Sequence, residues 1–272
     1  DSYGTWTLVQ KLSFAEYLKG VLPHEIGANS PLEALKAQAI IARTWAIYNS
    51  NRFEADKFHL CVTTQCQVYK PSIANKNIEK AIKDTKNKVL VFEDKPINAF
   101  YHASNGGISA SSSESWEMSN YPYFSSDYDF KNLKKKYLYP SLKKRDELKF
   151  FLKSDKNNFF GKDHYLFRWE RKVSDKEILN LLHTNNLINQ NSKILDLKVT
   201  KRGSSGRVMK LEISHNNSNG FITLVKDDIR KSLNFLPSNL FIIDKINDNL
   251  WVFTGGGFGH GVGLSQSGAI EM

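Results

Sequence analysis

Four short stretches of this chain bring together side chains that can move protons, hold a metal or grip a polar ligand. In GVLPHEIGANSP, Glu25 follows Pro23 and His24 and precedes Gly27. A carboxyl in so tightly framed a connection points in a fixed direction and can act as a general acid or base. In FYHASNGG (100–107), strand alternation puts His102 and Ser104 on one face. A serine–histidine nucleophile needs a third member, and none is evident, so ligand hydrogen bonding or loop shaping is the expected role. GGGFGHGVGLSQSG (255–268) surrounds His260 with glycines and follows it with Ser265 and Gln266. Such a run implies positive φ, or something lying close against the backbone. Its spacing fits neither the dinucleotide fingerprint, whose last glycine is missing in every register, nor a G-x-S-x-G elbow, where Ser267 takes the place of the last glycine. What remains is a bare-backbone loop for a bulky polar ligand, with His260 and Gln266 supplying hydrogen bonds. HLCVTTQCQVY (59–69), finally, offers His59, Cys61 and Cys66. A zinc site needs a fourth group, so zinc, a Cys61–Cys66 disulfide and free thiols all stay open.

The elements that must position these groups can be read from capping and periodicity. Ser13 with Glu16 is a capping box opening FAEYLKGVL, which Pro23 interrupts. Ser30, Pro31 and Glu33 read as a second box, starting PLEALKAQAIIARTWAIY. That helix is apolar nearly all round and should be central and buried. Arg43 lies deep inside it and needs an anionic partner there. NIEKAIKDTKNK reads as an amphipathic helix feeding the strand VLVF, and INAFYHAS follows after Asp94 and Pro96. Ser174 with Glu177 opens another helix, and GSSG joins the strands ILDLKVTKR and RVMKLEISH. SWEMSNYPYFSSDYD (115–129) supplies Trp116, Tyr121 and Tyr123, suited to sugar rings or to a core edge. The class is α+β with mixed strand order.

Composition narrows the partners. With 272 residues, 40% hydrophobic and 24% charged, the chain can bury a full core. No stretch is apolar for long enough to span a bilayer. It begins at Asp1, so a leader or anchor is expected to be absent or already removed. The net charge of +10 suits an anionic partner such as nucleic acid, anionic lipid or an acidic wall polymer. Its densest run, KNLKKKYLYPSLKKR (131–145), lacks an aromatic platform, and no zinc-finger or RNP pattern occurs. We read it as a solvated face and expect no nucleic-acid partner.

In this order, YLKGVLPHEIG, PLEALKAQAIIARTWAI, CQVY, FYHASNGG, SWE…PYF…D and GGGFGHGVGLSQSGA resemble the stage II sporulation protein D (SpoIID/LytB) family. The resemblance covers residues 16–129 and 250–269. It implies a SpoIID-like core with a buried central helix and mixed sheet over 1–130 and 247–272, with an inserted lysine-rich α+β lobe over 131–246. It also implies a peptidoglycan lytic transglycosylase, acting on glycan strands stripped of stem peptides and leaving 1,6-anhydromuramyl ends. Glu25 stands at the family's catalytic P-x-E position, and no cofactor is required for the chemistry. Arg43, Gln67, Tyr69, His102, Ser104, Trp116, His260 and Gln266 become the expected substrate-binding set, with His59, Cys61 and Cys66 a candidate structural zinc site. The expected location is extracytoplasmic, with a membrane anchor in the full-length protein and a partner cell-wall hydrolase both open. Two readings compete: a lysozyme-type hydrolase taking Glu117, Asp127 or Asp129 as second carboxylate, and a non-catalytic glycan-binding amidase enhancer. The chain departs from the family at His24, where a small residue is usual, and stops at Met272 where the family continues.

Overall fold

Ser13 caps the first helix, α1 (Phe14–Leu22), as its spacing requires. Its Oγ accepts from the Glu16 N–H at 3.3 Å, while the Glu16 carboxylate accepts from the Ser13 N–H at 2.8 Å. A cap of this kind is worth about 1 kcal/mol. Pro23 has no N–H to continue the ladder, and Pro23–Gly27 run as a single π-helical turn. Gly27 closes it at φ +97°, a value that favours glycine. The expected second capping box does not form. Ser30 Oγ donates instead to the Ile26 carbonyl at 2.7 Å, and α2 (Leu32–Tyr48) starts behind Pro31 with no side-chain cap. The hydroxyl is spent on the carbonyl that the π turn leaves open.

The computed structural model describes residues 6–117, 120–132, 141–189, 192–216 and 220–272. It is an α+β fold of two compact units, 1–101 with Met272, and 102–271. In the first, α2 is buried along most of its length, as its composition requires, and packs with α1 and α3 (Lys76–Asp84). Asn75 caps α3, its side chain accepting from the Ile78 N–H at 2.9 Å. The expected VLVF strand shrinks to β1 (Val91–Phe92), paired with β2 (Lys95–Pro96) across a turn whose central residues, Glu93 and Asp94, both have positive φ. The unit boundary falls inside β3 (Tyr101–His102).

Short α4 (Ser112–Ser115) and then α5 (Arg145–Lys153) precede the sheets of the second unit. In one antiparallel sheet, β9 (Leu250–Gly255) lies between β4 (Trp169–Ser174) and β8 (Phe241–Asn247). The other is an antiparallel meander of β5 (Ile194–Arg202), β6 (Val208–His215) and β7 (Phe221–Val225). Helices α6 (Asp175–Thr184), opened by the Ser174–Glu177 box, and α7 (Asp227–Ser232) contribute Ile178, Leu182 and Ile229 to the core shared with these strands. β10 (Leu264–Ser265) and α8 (Gln266–Glu271) end the unit. Both three-stranded sheets are antiparallel, while the isolated bridge from Ala110 to Val262 is parallel. The boundary expected near residue 131 also falls inside this unit, because β9 is hydrogen-bonded on both edges to strands of the supposed lobe. Residues 133–140 of the basic run lie outside the described residues. At its ends Lys131 pairs with Glu271 and Arg145 with Asp244. Among the described residues no helix is long and apolar enough to cross a membrane.

Candidate active site and a histidine pair

Gly20 explains how a strap of chain reaches Glu25. A Cβ there would lie 2.3 Å from the Tyr69 ring and 2.8 Å from the Lys70 carbonyl, so only glycine lets residues 67–70 lie down on α1. The strap is bonded in place by the Lys70 N–H to the Gly20 carbonyl at 3.2 Å, and Tyr69 stacks on Tyr17 with centroids 5.8 Å apart. Gln67 is buried within it and donates to the Ala42 carbonyl of α2 at 3.0 Å.

This brings the Val68 N–H to Glu25 Oε1 at 2.6 Å. The Tyr101 hydroxyl lies 3.2 Å from Gln67 Oε1 and also hydrogen-bonds the Glu25 carboxyl, so one proton serves two acceptors. Glu25 is only half-buried, yet burial raises its pKa, and the bonds from Val68 and Tyr101 pull back against that rise. No second carboxylate of this unit figures among the groups that perturb it. The Tyr17 hydroxyl is buried without a hydrogen-bond partner among the described residues, and burial together with the Glu25 charge holds it protonated. The result is a carboxyl walled by tyrosines, partly desolvated but open to a ligand.

Arg43 stands apart from this arrangement. It is 5% exposed and donates to the Lys88 carbonyl at 2.9 Å, so a backbone dipole takes the place of the expected anion. Burial lowers its pKa. The zinc reading of His59, Cys61 and Cys66 is corrected. Cys61 and Cys66 form a disulfide with Cα atoms 5.7 Å apart, which removes both thiolates, and His59 is exposed. No cluster of three or more potential ligands occurs among the described residues.

The second unit builds a different arrangement around the glycine loop. Gly257, Gly259, Gly261 and Gly263 all have positive φ, from +77° to +103°. At Gly257 a Cβ would lie 2.7 Å from the Ser104 carbonyl, where the loop bridges the chain through Ser104 and Phe258. Arg207 is fully buried and donates to the Asn105 and Ile108 carbonyls, each at 3.0 Å. A Cβ at Gly261 would collide with its guanidinium.

His260 and His102 are both fastened to Val262. His102 Nδ1 lies 3.1 Å from the Val262 carbonyl, and the Val262 N–H donates to His260 Nδ1 at 3.1 Å. The two rings meet edge-on at 5.4 Å, and Trp116 lies 4.7 Å from His260. His102 is 5% exposed, and burial followed by the Arg207 charge lowers its pKa to about 3. Ser115 Oγ donates to the His260 carbonyl at 2.9 Å, and Lys226 Nζ to the Trp116 carbonyl at 2.9 Å.

Of the expected substrate-binding set, then, only Tyr69, Trp116 and His260 are partly exposed, while Arg43, Gln67, His102, Ser104 and Gln266 are buried. The carboxylates considered for a hydrolase have separate occupations. Glu117 pairs with Lys226 at 3.1 Å, Asp129 accepts from Asn105 at 2.9 Å, and Asp127 is exposed. Sequence reasoning missed Tyr17, Tyr101, Arg207 and Lys226. The helix-interior Gly20 and the glycine after His260, Gly261, were the available signals of close approach.

Comparison with known proteins places this geometry in context. A family model described as stage II sporulation protein matches residues 2–92, and one described as a domain of unknown function (DUF8618) matches residues 110–263, more than half of the chain. An uncharacterized protein of Brachyspira hyodysenteriae is 29% identical over 98% of the chain and 63% of its own length. The amidase enhancer of Bacillus subtilis is 28% identical over 93% of the chain and 37% of its own length. Stage II sporulation protein D of the same organism is 28% identical over 97% of the chain and 69% of its own length. The chain thus spans under two thirds of the first two relatives. It belongs to the DUF8618 family, and over residues 2–92 it matches the stage II sporulation protein model.

Proposed function

We propose that this protein has a cell-wall role outside the cytoplasm, as a lytic transglycosylase that cleaves between N-acetylmuramic acid and N-acetylglucosamine in peptidoglycan glycan strands. The observation that carries the reading is the state of Glu25. It is a carboxyl that no second carboxylate among the described residues of its unit perturbs, raised by burial and half-buried. Most glycosidases divide acid and base between two carboxylates. One suffices if the sugar brings its own nucleophile. Glu25 protonates the glycosidic oxygen as the C1–O bond breaks, and the resulting carboxylate then takes the proton of the muramyl C6 hydroxyl as that oxygen bonds C1. The Val68 N–H on Oε1 and the Tyr101 hydroxyl hold the carboxyl in place. An intramolecular hydroxyl is already held near C1, which replaces the positioning of a water.

Digestion of denuded glycan followed by mass spectrometry tests this. The expected product end is a 1,6-anhydromuramyl ring, one water lighter than a reducing end. Predominantly reducing ends reject the transglycosylase in favour of a hydrolase. Absence of any product favours an amidase enhancer, a reading supported by the relative of that name.

A further inference from the structure

The β4–β9–β8 sheet has two faces with different surroundings. Strand alternation turns Trp169, Val173, Phe241, Trp251 and Phe253 into the core. Glu170, Ile242, Asp244, Val252 and Thr254 therefore face the other way, where α5 covers only part of the sheet. Leu152 of α5 packs with Ile242 in a second buried cluster, and beside that contact a groove of about 430 Å³ stays open. Ligand clefts run from roughly 300 to 1,000 Å³, so the space suits a small molecule or a few residues of peptide.

The floor is apolar and recessed, since Leu152, Ile242 and Val252 are all buried. Lys149 and Lys153, one helical turn apart on α5, line the groove, and their ammonium groups make no ion pair or hydrogen bond among the described residues. The exposed Glu170 carboxylate lines it too and is likewise unpaired among them. The remaining charges are already engaged, Asp244 with Arg145 and Lys245 with Asp248 at 3.7 Å. A polyanion would meet Glu170 and Asp244 as like charges. A flat membrane surface does not reach a buried floor. We propose that this groove binds a short peptide carrying two carboxylates, one ammonium and small apolar side chains, the chemistry of a peptidoglycan stem peptide. Lys149 and Lys153 take the carboxylates, Glu170 the ammonium, and the floor the methyl groups. The identity of the peptide rests on the cell-wall part of the proposed function and not on its chemistry.

Calorimetric titration of the whole chain with acetyl-L-Ala-γ-D-Glu-L-Lys-D-Ala-D-Ala tests this with no glycosidic bond present. Saturable binding is expected. Lys149→Ala combined with Lys153→Ala should weaken it at least about fivefold, as two partly exposed ion pairs are lost together. Lys198→Ala combined with Lys201→Ala removes the same charge from exposed positions of β5, and should change the affinity by less than about twofold. Glu170→Gln should cost the lysine peptide about threefold and its Nε-acetylated form nothing. Thr254→Trp fills the groove without altering charge and should abolish binding. The lysine variants, changed only at the groove's rim, keep the test valid should Thr254→Trp fail to fold. No saturable binding to wild type, equal losses in the two lysine pairs, or full affinity in folded Thr254→Trp overturns the proposal. Phosphatidylglycerol vesicles that bind through Lys149 and Lys153, with no peptide binding, overturn it in favour of a membrane contact. Reducing-end products from glycan would instead overturn the transglycosylase chemistry and leave peptide binding standing.

Discussion

In the first unit Glu25 sits half-buried on a π turn, and burial has pushed its pKa up toward the range where it can exchange a proton. In the second unit His102 is fully enclosed, and burial has pushed its pKa down to about 3, out of the range where it exchanges one. The physical cause is the same, since desolvation disfavours the charged form of each group. The consequences diverge because a carboxyl becomes a useful acid when its neutral form is favoured, while an imidazole becomes a fixed hydrogen-bonding group. On the proposed reading, proton transfer belongs to the first unit, and the buried imidazole of the second serves as a fixed hydrogen-bonding group. Tyr101 and Val68 temper Glu25 from one side, whereas Arg207 adds to the depression of His102.

The largest expected effect breaks the first half of this contrast. Glu25→Gln should lower glycan cleavage by at least about a hundredfold, the low end for a positioned general acid. Stability should not fall with it. A carboxyl raised in the folded state favours folding below its unfolded pKa, and this contribution is lost as pH rises through the folded value. Near pH 7 wild type carries the cost of a partly buried carboxylate, which a neutral amide lacks. The melting temperature at pH 7 should therefore equal or exceed that of wild type. Wild-type turnover in the variant would make Glu25 structural and return the chemistry to the second unit.

Gly257→Ala breaks the other half. At φ +84°, with a Cβ 2.7 Å from the Ser104 carbonyl and 2.9 Å from the Asn105 carbonyl carbon, the clash is with backbone that cannot swing away. A strained left-handed alanine alone costs about 1–3 kcal/mol. Denaturant unfolding should show a loss of roughly 2 kcal/mol or more. A change below about 0.5 kcal/mol would mean that the loop accommodates a side chain, and that its glycines serve something other than close approach.

How much of this was legible depended on whether the partner was local. The Ser13–Glu16 and Ser174–Glu177 boxes are three-residue relations, and both formed as read. The alternating glycines announced their positive φ because no other residue adopts it so cheaply. Ser30 misled because its hydroxyl had a rival acceptor in Ile26, exposed by a π turn that periodicity does not reveal. Arg43 found its partner at Lys88, and Glu25 found its own at Val68 and Tyr101, all fixed by tertiary packing that no window of sequence contains. Gln266 was expected to meet sugar because of its neighbours in the motif. It is buried at the start of α8 instead.

The smallest effect sharpens the comparison most, because it tests the tempering of Glu25 rather than its presence. Tyr101 has one proton, placed between Gln67 Oε1 and the Glu25 carboxyl. Donated to Glu25, it favours the charged form and so lowers the pKa that burial raises. Tyr101→Phe removes that donation and keeps the ring. The Glu25 pKa should then rise further, and the fraction protonated at alkaline pH should rise with it. Because the acid must be protonated to act, the falling limb of the pH–rate profile should move to higher pH. A neutral hydrogen bond is worth about 1 kcal/mol, so the alkaline rate relative to the optimum should gain by up to about fivefold. A comparable loss of the Gln67 contact would affect folding without moving the limb, so the profile separates the two roles of the hydroxyl. A limb that stays in place assigns the Tyr101 proton to Gln67, and a limb that moves to lower pH contradicts the tempering altogether.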